Sequence, residues 1–543
     1  MSTPIAQWLP TMDITAGRLQ YMLEHLAEAQ SVTATGAIGD GSTDDAPAIQ
    51  TALTAARNAG GGWVVVPPGT YLLASLPLRI YRNTRLTLLP GAEMRRGATG
   101  QLMINGDAGQ NYGGWGGHSN IVIEGGLWNM RGGEAAYAAD SMCMSFGHCA
   151  DITIRDLEVR DVAGFHAIEL NSAKRITIQN CRFRGYNDPT GTRSFSEAVQ
   201  LDLAKGAEYF GSFGPYDNTP CEDVLMTGCY VGASGSAGTT AWPRGIGSHS
   251  STITKYHRRI RVIGCTMEGV LQYGVSAYNW EDLTVSGCNF TGCGSGVRLR
   301  TVILTDAEDT KLPDGTQTNA SQDMRDLVVT GNTIRGGIGY DDSIVGLGET
   351  SGLLLNVAVT GNTIEGSGGT ENGVRLQNAS RVTIGSNVIA NSAGTGISTE
   401  SISHMVITGN EVHLPAAHGI TLVTDSHCNV TGNVVRDPGN SGILVQSGND
   451  LHLRGNYVRA PGRAANATHY GIRLSTSATS ISLSGNKIRP NGSAPEAIAA
   501  FSATNTCTLV HRYGNDWRGT GWTTAALDDQ STTPNTSATD LIA

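Results

Sequence analysis

The sequence predicts an all-β protein in which a short coil of strands is wound repeatedly into a parallel solenoid, with a helix closing its N-terminal end. The 543 residues include 71 glycines but only 15% charged and 6% aromatic residues. This composition is too rich in glycine for a helical protein and, at 39% hydrophobic residues, too apolar for disorder. Short segments with alternating apolar residues also recur along the chain, and an amphipathic helical pattern precedes them.

The first repeated segment places a cysteine or an asparagine between short runs of apolar residues. It begins as IQNCRF (178–183) and becomes VTGNTI (329–334) and its later copies, with the asparagines at 387, 410, 433 and 456 each 23 residues apart. Successive coils of a solenoid lie about 4.8 Å apart, so equivalent residues stack. We therefore expect a column of asparagines that hydrogen-bond along the stack, preceded by a column of buried free thiols. The thiols are those of Cys181, Cys229, Cys265 and Cys288.

Each predicted coil contains a second strand, which usually opens with glycine. Its third and fifth positions are aliphatic or small and are predicted to face the interior, while the fourth and sixth positions face outward. Because the same register repeats, the outward residues of successive coils should form columns. The copies in the N-terminal half are HAIELN (166–171), EAVQLD (197–202), RGIGSH (244–249), YGVSAY (273–278) and SGVRLR (295–300).

The columns of these five coils concentrate acidic, amide, histidine, tyrosine and arginine side chains on one patch of sheet. Further along the chain the same columns hold residues such as Thr421, Val423 and Leu444. A concentration of this kind predicts a functional site rather than a solvated surface. The site comprises His166, Glu197, Arg244 and Tyr273 at the first position, Glu169, Gln200 and Arg298 at the fourth, and Asn171, Asp202, His249, Tyr278 and Arg300 at the sixth.

Two insertions interrupt the repeat near this patch. The spacing is 48 residues from Cys181 to Cys229 and 36 from Cys229 to Cys265. Long insertions on a solenoid tend to lie on its binding face. We therefore expect aromatic residues of the insertions to stack on sugar rings; the alternative is that they only cover the sheet. These residues are Tyr209, Phe210, Phe213, Tyr216 and Trp242.

Residues 43–60 predict the helix that closes the solenoid, with Thr43 as N-cap, Asp44 and Asp45 in the first turn and Gly60 as the stop. The segment GDGSTDDAPAIQTAL (39–53) followed by GGWVVVPPGTYLL resembles the start of the pectate-lyase-like superfamily. The resemblance covers roughly residues 32–515. It implies a right-handed parallel β-helix and a place among lyases, hydrolases, epimerases and phage tail spikes.

Residues 1–31 are interpreted as a helical attachment segment and residues 516–543 as a polar tail. A helical stripe within 11–30 resembles segments that join this fold to phage tails, which implies a tail-spike-like homotrimer. An ordinary helix packed on the coil is the alternative. The N-terminus lacks the features of a secretory signal, so we expect a virion tail or an extracellular location reached without one.

Charge and hydropathy exclude two other classes of protein. A net charge of −10 argues against nucleic-acid binding. No apolar run approaches the roughly 20 residues that span a bilayer. We expect no cofactor and no catalytic metal, although the carboxylates of Asp341–Asp342 and Asp306–Asp309 leave a structural Ca²⁺ open.

The columns fit cleavage of a polysaccharide by hydrolysis. This reaction needs one carboxyl group to protonate the leaving oxygen and another to activate water. Strand geometry places the Cβ atoms of Glu169 and Asp202 about 8 Å apart, the separation of an inverting enzyme. Glu197 is a third candidate, and His249 is expected to lie over Asp202 and tune its pKa.

Two alternatives remain open at this point. A lyase would use His249 or Tyr278 as the base and Arg244 or Arg300 to neutralise the enolate of a uronic acid, although three carboxylates would repel that substrate. The other alternative is a spike that binds glycan without cleaving it. In either case Arg244, Arg298 and Arg300 are expected to bind acidic groups of the glycan.

Overall fold

The protein is described by a computed structural model that covers residues 29–207, 210–211, 213–492, 497–532, 534–536 and 539–542. Within these residues the α-helix is Ala46–Asn58, and Val32–Thr35 and Ala135–Tyr137 form 3-10 turns. The remaining elements are strands. The predicted attachment segment falls almost entirely on residues 1–28, which lie outside the described residues.

The named strands pair in parallel, each with its equivalent in the next coil, so the chain winds as the predicted parallel β-helix. Three walls surround one continuous core. In each coil, the back-wall strand comes just before the Cys or Asn position in the chain and the short-wall strand comes just after it. The site wall carries the predicted functional columns.

The back wall consists of Ala29–Ser31, Gly62–Val66, Thr84–Leu88, Ile121–Glu124, Glu222–Thr227, His257–Ile263, Trp280–Ser286, Met324–Thr330, Leu354–Thr360, Ser426–Thr431, Asn449–Arg454, Thr479–Ser484, Thr508–Tyr513 and Pro534–Thr536. The site wall consists of Leu78–Ile80, Met103–Asn105, Glu197–Asp202, Arg244–Gly247, Tyr273–Tyr278, Ser295–Arg300, Ile344–Leu347, Ile420–Val423, Ile443–Gln446, Tyr470–Ser475, Ala499–Ala503 and Leu527–Asp529. Four longer strands turn from the site wall into the back wall: Met144–Arg155, Ile168–Gln179, Val374–Gly385 and Ile397–Thr408. The short wall consists of Asp40–Asp44, Gly69–Leu73, Ala92–Arg96, Leu127–Asn129, Glu158–Ala163, Arg182–Asn187, Tyr230–Gly232, Thr266–Glu268, Asn289–Thr291, Thr333–Arg335, Thr363–Glu365, Val388–Ala390, Glu411–His413, Val434–Arg436, Tyr457–Arg459 and Lys487–Arg489.

The predicted interior columns are present. All ten cysteines are free and buried. The backbone nitrogen of Cys288 donates to Asn332 Oδ1 at 2.9 Å, and from there each asparagine donates to the Oδ1 of the asparagine in the next coil. The asparagine ladder comprises Asn332, Asn362, Asn387, Asn410, Asn433, Asn456, Asn486 and Asn515.

The C-terminal boundary predicted at residue 515 is too early. Asp540 Oδ1 accepts hydrogen bonds from the backbone and side-chain nitrogens of Asn515 at 2.8 and 3.0 Å, so the asparagine ladder ends on a carboxylate. Leu527–Asp529 also pairs with the strand Ala499–Ala503. The described part of the predicted polar tail therefore belongs to the solenoid.

The helix Ala46–Asn58 closes the N-terminal end, as predicted, because its buried residues Ile49, Ala52 and Leu53 join the core of the coils. Its predicted N-cap is wrong. Thr43 lies in the strand Asp40–Asp44, and the cap position is Asp45, whose carboxylate binds the backbone nitrogens of Ile38 and Gly39 at 2.6 and 3.0 Å.

Candidate active site

The predicted columns exist in the site wall. Glu169 pairs with Gln200, and Asn171 with Asp202, in successive coils. The register continues from Glu197 to Arg244 and then to Tyr273, and from Tyr278 to Arg300. Residues far apart in the chain therefore stand side by side, as uniform winding requires.

The outward side of these strands is covered by loops rather than open to solvent. All six residues of Glu197–Asp202 are buried, on both faces of the strand. The loops leave a cavity of about 210 Å³ above the site wall. The predicted site residues that line it are His166, Glu169, Gln200, Asp202 and His249.

Glu169 is a buried carboxyl group with few groups to stabilise its charge. Its side chain is held by the hydroxyl of Ser145, which donates to Oε2 at 2.8 Å. Burial raises the pKa of Glu169 to about 8, with a further contribution from the nearby charge of Asp202. Glu169 is therefore protonated at neutral pH and able to donate a proton into the cavity.

Asp202 has more polar contacts than Glu169. The amide of Gln200 donates to Oδ2 at 2.9 Å and the backbone nitrogen of Leu203 donates to Oδ1 at 2.8 Å, while the hydroxyl of Ser250 also binds Oδ1. Burial raises the pKa of Asp202, but the charge of His249 and these hydrogen bonds limit the value to about 6. The two carboxyl groups of the cavity therefore differ in protonation at neutral pH.

Glu197, the third candidate for a catalytic carboxyl group, is buried and does not line the cavity. Its side chain is paired with neighbouring residues instead of being open to a substrate. Its carboxylate lies 3.1 Å from Nδ1 of His249 and 3.1 Å from a guanidinium nitrogen of Arg244. Burial alone would raise the pKa of Glu197, but the charges of His249, Arg244 and His166 lower it to about 2. Glu197 is therefore ionised at neutral pH, and its carboxylate holds Arg244 and His249 in place.

His249 faces Glu197, which corrects the prediction that it would stack directly over Asp202. Burial alone would lower the pKa of His249, but the carboxylate of Glu197 raises it above the usual value. Its Nε2 lies 3.3 Å from the amide nitrogen of Gln200. The second histidine, His166, stacks on His249 with ring centroids 5.9 Å apart, and burial lowers the pKa of His166 to about 4, so it is neutral.

Several predicted binding residues lie outside the cavity. Tyr273 donates to Asp341 at 2.8 Å and stacks beneath Arg298, whose guanidinium carbon is 4.6 Å from the ring centroid. Tyr278 is buried and donates to Asp309 at 2.8 Å. Arg300 pairs with Glu349, and Asn171 is fully buried.

Two of the aromatic residues predicted from the insertions also lie outside the cavity. Trp242 is fully buried and packs on Tyr186 at a centroid distance of 5.0 Å, so the prediction that it stacks on sugar is wrong. Tyr216 is 42% exposed but does not line the cavity. Phe210, another of the aromatic residues predicted from the insertions, lines the cavity and packs on Phe213 at 5.0 Å, while Tyr209 lies outside the described residues.

Sequence reasoning missed several residues in and around the cavity, among them two serines that bind its carboxyl groups and two residues that line it. Ser145 lies in register with Glu169, so alignment of one earlier coil, MSFGH at 144–148, would have found it. Ser250 directly follows His249, the last position of the columns in its coil. Arg193 and Phe165 come from loops and stack with 4.5 Å between the guanidinium carbon and the ring centroid; no repeat in the sequence marks them.

Two groups of side chains bring potential metal-ligand atoms within 4.8 Å of one another in the described residues: His166–Glu197–His249 and Asp341–Asp342–Glu371. In the first group the ligand atoms already contact each other and Arg244. The second group extends the Asp341–Asp342 pair predicted from sequence, and a structural Ca²⁺ there stays a prediction. In the described parts of the chain, none of the helices has the length and apolarity to cross a membrane.

Two family models match this chain. One, described as rhamnogalacturonase A/epimerase, pectate lyase-like, matches residues 29–298 and so spans the cavity. The other, a right-handed beta helix region, matches residues 343–515.

Individual curated relatives match parts of the chain. Plasmin and fibronectin-binding protein A of Streptococcus pneumoniae (strain ATCC BAA-255 / R6) is 28% identical over 287 residues, which are 48% of this chain and 39% of that protein. Mannuronan C5-epimerase AlgE1 of Azotobacter vinelandii is 28% identical over 147 residues, 24% of this chain and 10% of the epimerase. The chain thus spans well under half the length of these curated relatives.

Among solved structures, the Streptococcus pneumoniae surface protein and adhesin PfbA superposes with a TM-score of 0.61 at 21% identity, over 73% of this chain and all of that one. At this identity the likeness shows the fold alone. Together with the family models and the parallel register of the coils, it confirms the fold expected from the sequence. Residues 29–298 of the chain form a pectate-lyase-like domain, and residues 343–515 form a right-handed β-helix domain.

Proposed function

We propose that the protein is a polysaccharide depolymerase that hydrolyses glycosidic bonds with Glu169 and Asp202. The observation that carries this proposal is the pair of carboxyl groups on successive coils that face one cavity with unequal pKa values, about 8 and about 6. Environments that push two carboxyl groups apart in this way assign one as acid and the other as base. The match to the rhamnogalacturonase A/epimerase family model supports a carbohydrate substrate.

In the proposed reaction the protonated Glu169 gives its proton to the glycosidic oxygen as the bond from that oxygen to the anomeric carbon breaks. Asp202 accepts a proton from a water molecule, whose oxygen forms the new bond to the anomeric carbon on the opposite face. The reaction leaves Glu169 ionised and Asp202 protonated, and proton exchange with solvent restores both. Oδ1 of Asp202 accepts hydrogen bonds from Ser250 and Leu203, and Oδ2 accepts one from Gln200. Oδ2 therefore has one acceptor position left, which would hold the attacking water.

The remaining residues position this pair. Glu197 fixes His249 and Arg244, and His249 in turn lowers the pKa of Asp202, so that more of this aspartate is ionised at neutral pH. His166, whose Nδ1 lies 2.9 Å from the backbone oxygen of Glu197, supports the same strand.

Screening purified protein against capsular, pectic and cell-wall polysaccharides, with mass spectrometry of the products, tests the reaction. Hydrolysis adds one water to each product pair, while elimination leaves an unsaturated end group that absorbs in the ultraviolet. Binding of a glycan without products would identify a glycan-binding spike. Binding of plasmin or fibronectin would instead give this chain the binding for which the streptococcal relative is named.

The variant Asp202→Asn tests the role of the pair on whichever glycan is cleaved. We expect a loss of about 10²–10⁴-fold in kcat, the usual contribution of a general base, with glycan binding retained. Asp450→Asn, at a carboxyl that is 51% exposed on the back wall, is the matched control. Full activity of Asp202→Asn would remove the proposed mechanism.

We also propose that the protein works outside the cell or on a virion tail, as a homotrimer. The resemblance of residues 11–30 to phage tail segments supports the tail and the trimer. The streptococcal relative, named for binding two plasma proteins, supports an extracellular location. Analytical ultracentrifugation of the full chain checks the trimer, and a sedimenting monomer would exclude it.

A further inference from the structure

A second depression, the groove, lies beside the cavity on the edge where the short wall turns into the site wall. Its volume is about 430 Å³. The residues that matter here are Asn187, Asp188, Thr240, Leu271, Gln272 and Tyr340. Three successive coils and the loop of a fourth therefore contribute to it.

The groove combines exposed apolar side chains with a polar rim. Tyr340 is 49% exposed and Leu271 is 41% exposed, which makes them two of the more exposed large hydrophobic residues in the described chain. Asn187, Asp188 and Thr240 supply an amide, a carboxylate and a hydroxyl around them. Sugars fit such a surface, because their C–H faces pack on rings and alkyl groups while their hydroxyls bind polar groups.

The groove is joined to the cavity by a continuous set of contacts. The loop that carries Arg193 into the cavity places the next residue, Ser194, in the groove. Gln272 donates to the backbone oxygen of Ser194 at 2.7 Å and accepts from Arg244 at 2.8 Å. Arg244 binds Glu197, so the floor between the two depressions is held by hydrogen bonds.

We propose that the groove is a further sugar-binding subsite, in which Tyr340 and Leu271 hold residues of the same polysaccharide chain whose neighbouring unit occupies the cavity. This inference rests on the proposed function, since it takes the cavity as the place where the chain is bound for cleavage. The subsite makes long oligosaccharides bind better than short ones and sets the size of the products.

Binding of oligosaccharides of graded length to the Asp202→Asn protein, with and without Tyr340→Ala, tests the subsite. We expect Tyr340→Ala to weaken binding of the longest oligosaccharides about five- to tenfold, as loss of one aromatic contact does. Tyr340→Ala should not change the affinity for the shortest oligosaccharide that still binds to the wild-type protein. Tyr340→Phe, which keeps the ring, should bind as the parent does.

Two controls separate this effect from damage to the fold. Tyr513→Ala removes a tyrosine of similar exposure, 45%, at the far end of the back wall and should leave all lengths unaffected. Leu271→Glu places a charge in the groove at an exposed position and should reproduce the length-dependent loss. Equal weakening for all lengths, or no weakening in either groove variant, overturns the subsite while leaving Asp202 as the test of cleavage. A wild-type protein that binds no glycan overturns both proposals.

Discussion

The raised pKa of Glu169 predicts that replacing this carboxyl group stabilises the protein at neutral and alkaline pH. In the unfolded chain Glu169 ionises near its ordinary pKa of 4.5, whereas in the folded protein it holds its proton up to about 8. Between these values the unfolded state binds fewer protons than the folded state. The free energy of unfolding therefore falls as the pH rises through this range.

The size of the effect follows from the gap between the two pKa values. A gap of roughly 3.5 pH units corresponds to at most about 5 kcal/mol, since each unit is worth about 1.4 kcal/mol. Glu169→Gln removes the titration but keeps an oxygen that accepts from Ser145. We expect the variant to match the wild type near pH 4 and to exceed it by about 3–5 kcal/mol at pH 8 and above.

Denaturant unfolding of both proteins at pH 4, 6, 8 and 9 measures this difference. Glu411→Gln, at a carboxyl that is 52% exposed, is the control and should shift the unfolding midpoint little at any pH. A Glu169→Gln protein whose advantage is the same at pH 4 and pH 9 would falsify the assignment of Glu169 as a buried proton donor. The test needs no knowledge of the glycan.

Three further predictions concern the chemistry of the site. The pH profile of kcat/KM for cleavage should be bell-shaped, with limbs near about 6 and 8 set by Asp202 and Glu169, and a profile flat from pH 5 to 9 would contradict both roles. Glu197→Gln should lower the pKa of His249, because the anion that stabilises its imidazolium is gone; NMR titration of the histidine ring protons measures this, and an unchanged value would show that Glu197 is not its partner. Chelation with EDTA should leave cleavage unchanged, because the proposed reaction transfers protons between the two carboxyl groups, water and the glycosidic oxygen and uses no metal ion. A loss of activity that Ca²⁺ restores would assign a catalytic cation.

The fold and the columns could be predicted because the winding repeats the same register. Val199 and Leu201 face the core and Gln200 and Asp202 face outward, as alternation within one strand requires. What could not be predicted is the direction in which a long polar side chain turns. Glu197 stands in the expected column but bends toward Arg244 and His249, and this choice depends on charges that lie 47 and 52 residues away.

Loops were harder still to predict than side-chain direction. Trp242 was expected on the surface because it lies in an insertion, yet that insertion folds over Tyr186 and buries the ring. Arg300 was expected to bind substrate, but Glu349, in a loop of the next coil, neutralises it. Conversely, Arg193 and Phe165 enter the cavity from loops that share no repeat with the columns. Their placement depends on long-range packing that a one-dimensional pattern does not contain.

The asparagine ladder makes the C-terminal half of the protein modular. Every asparagine from Asn332 to Asn515 accepts hydrogen bonds from the preceding coil and donates hydrogen bonds to the next coil. Asp540 ends the series because its carboxylate only accepts hydrogen bonds. A gene duplication or deletion of one whole turn in this half would therefore leave each remaining amide matched. The N-terminal turns place cysteines at this position and have no such series of matched amides. A change in the number of C-terminal turns would thus alter the length of the solenoid while leaving the cavity in the N-terminal half intact.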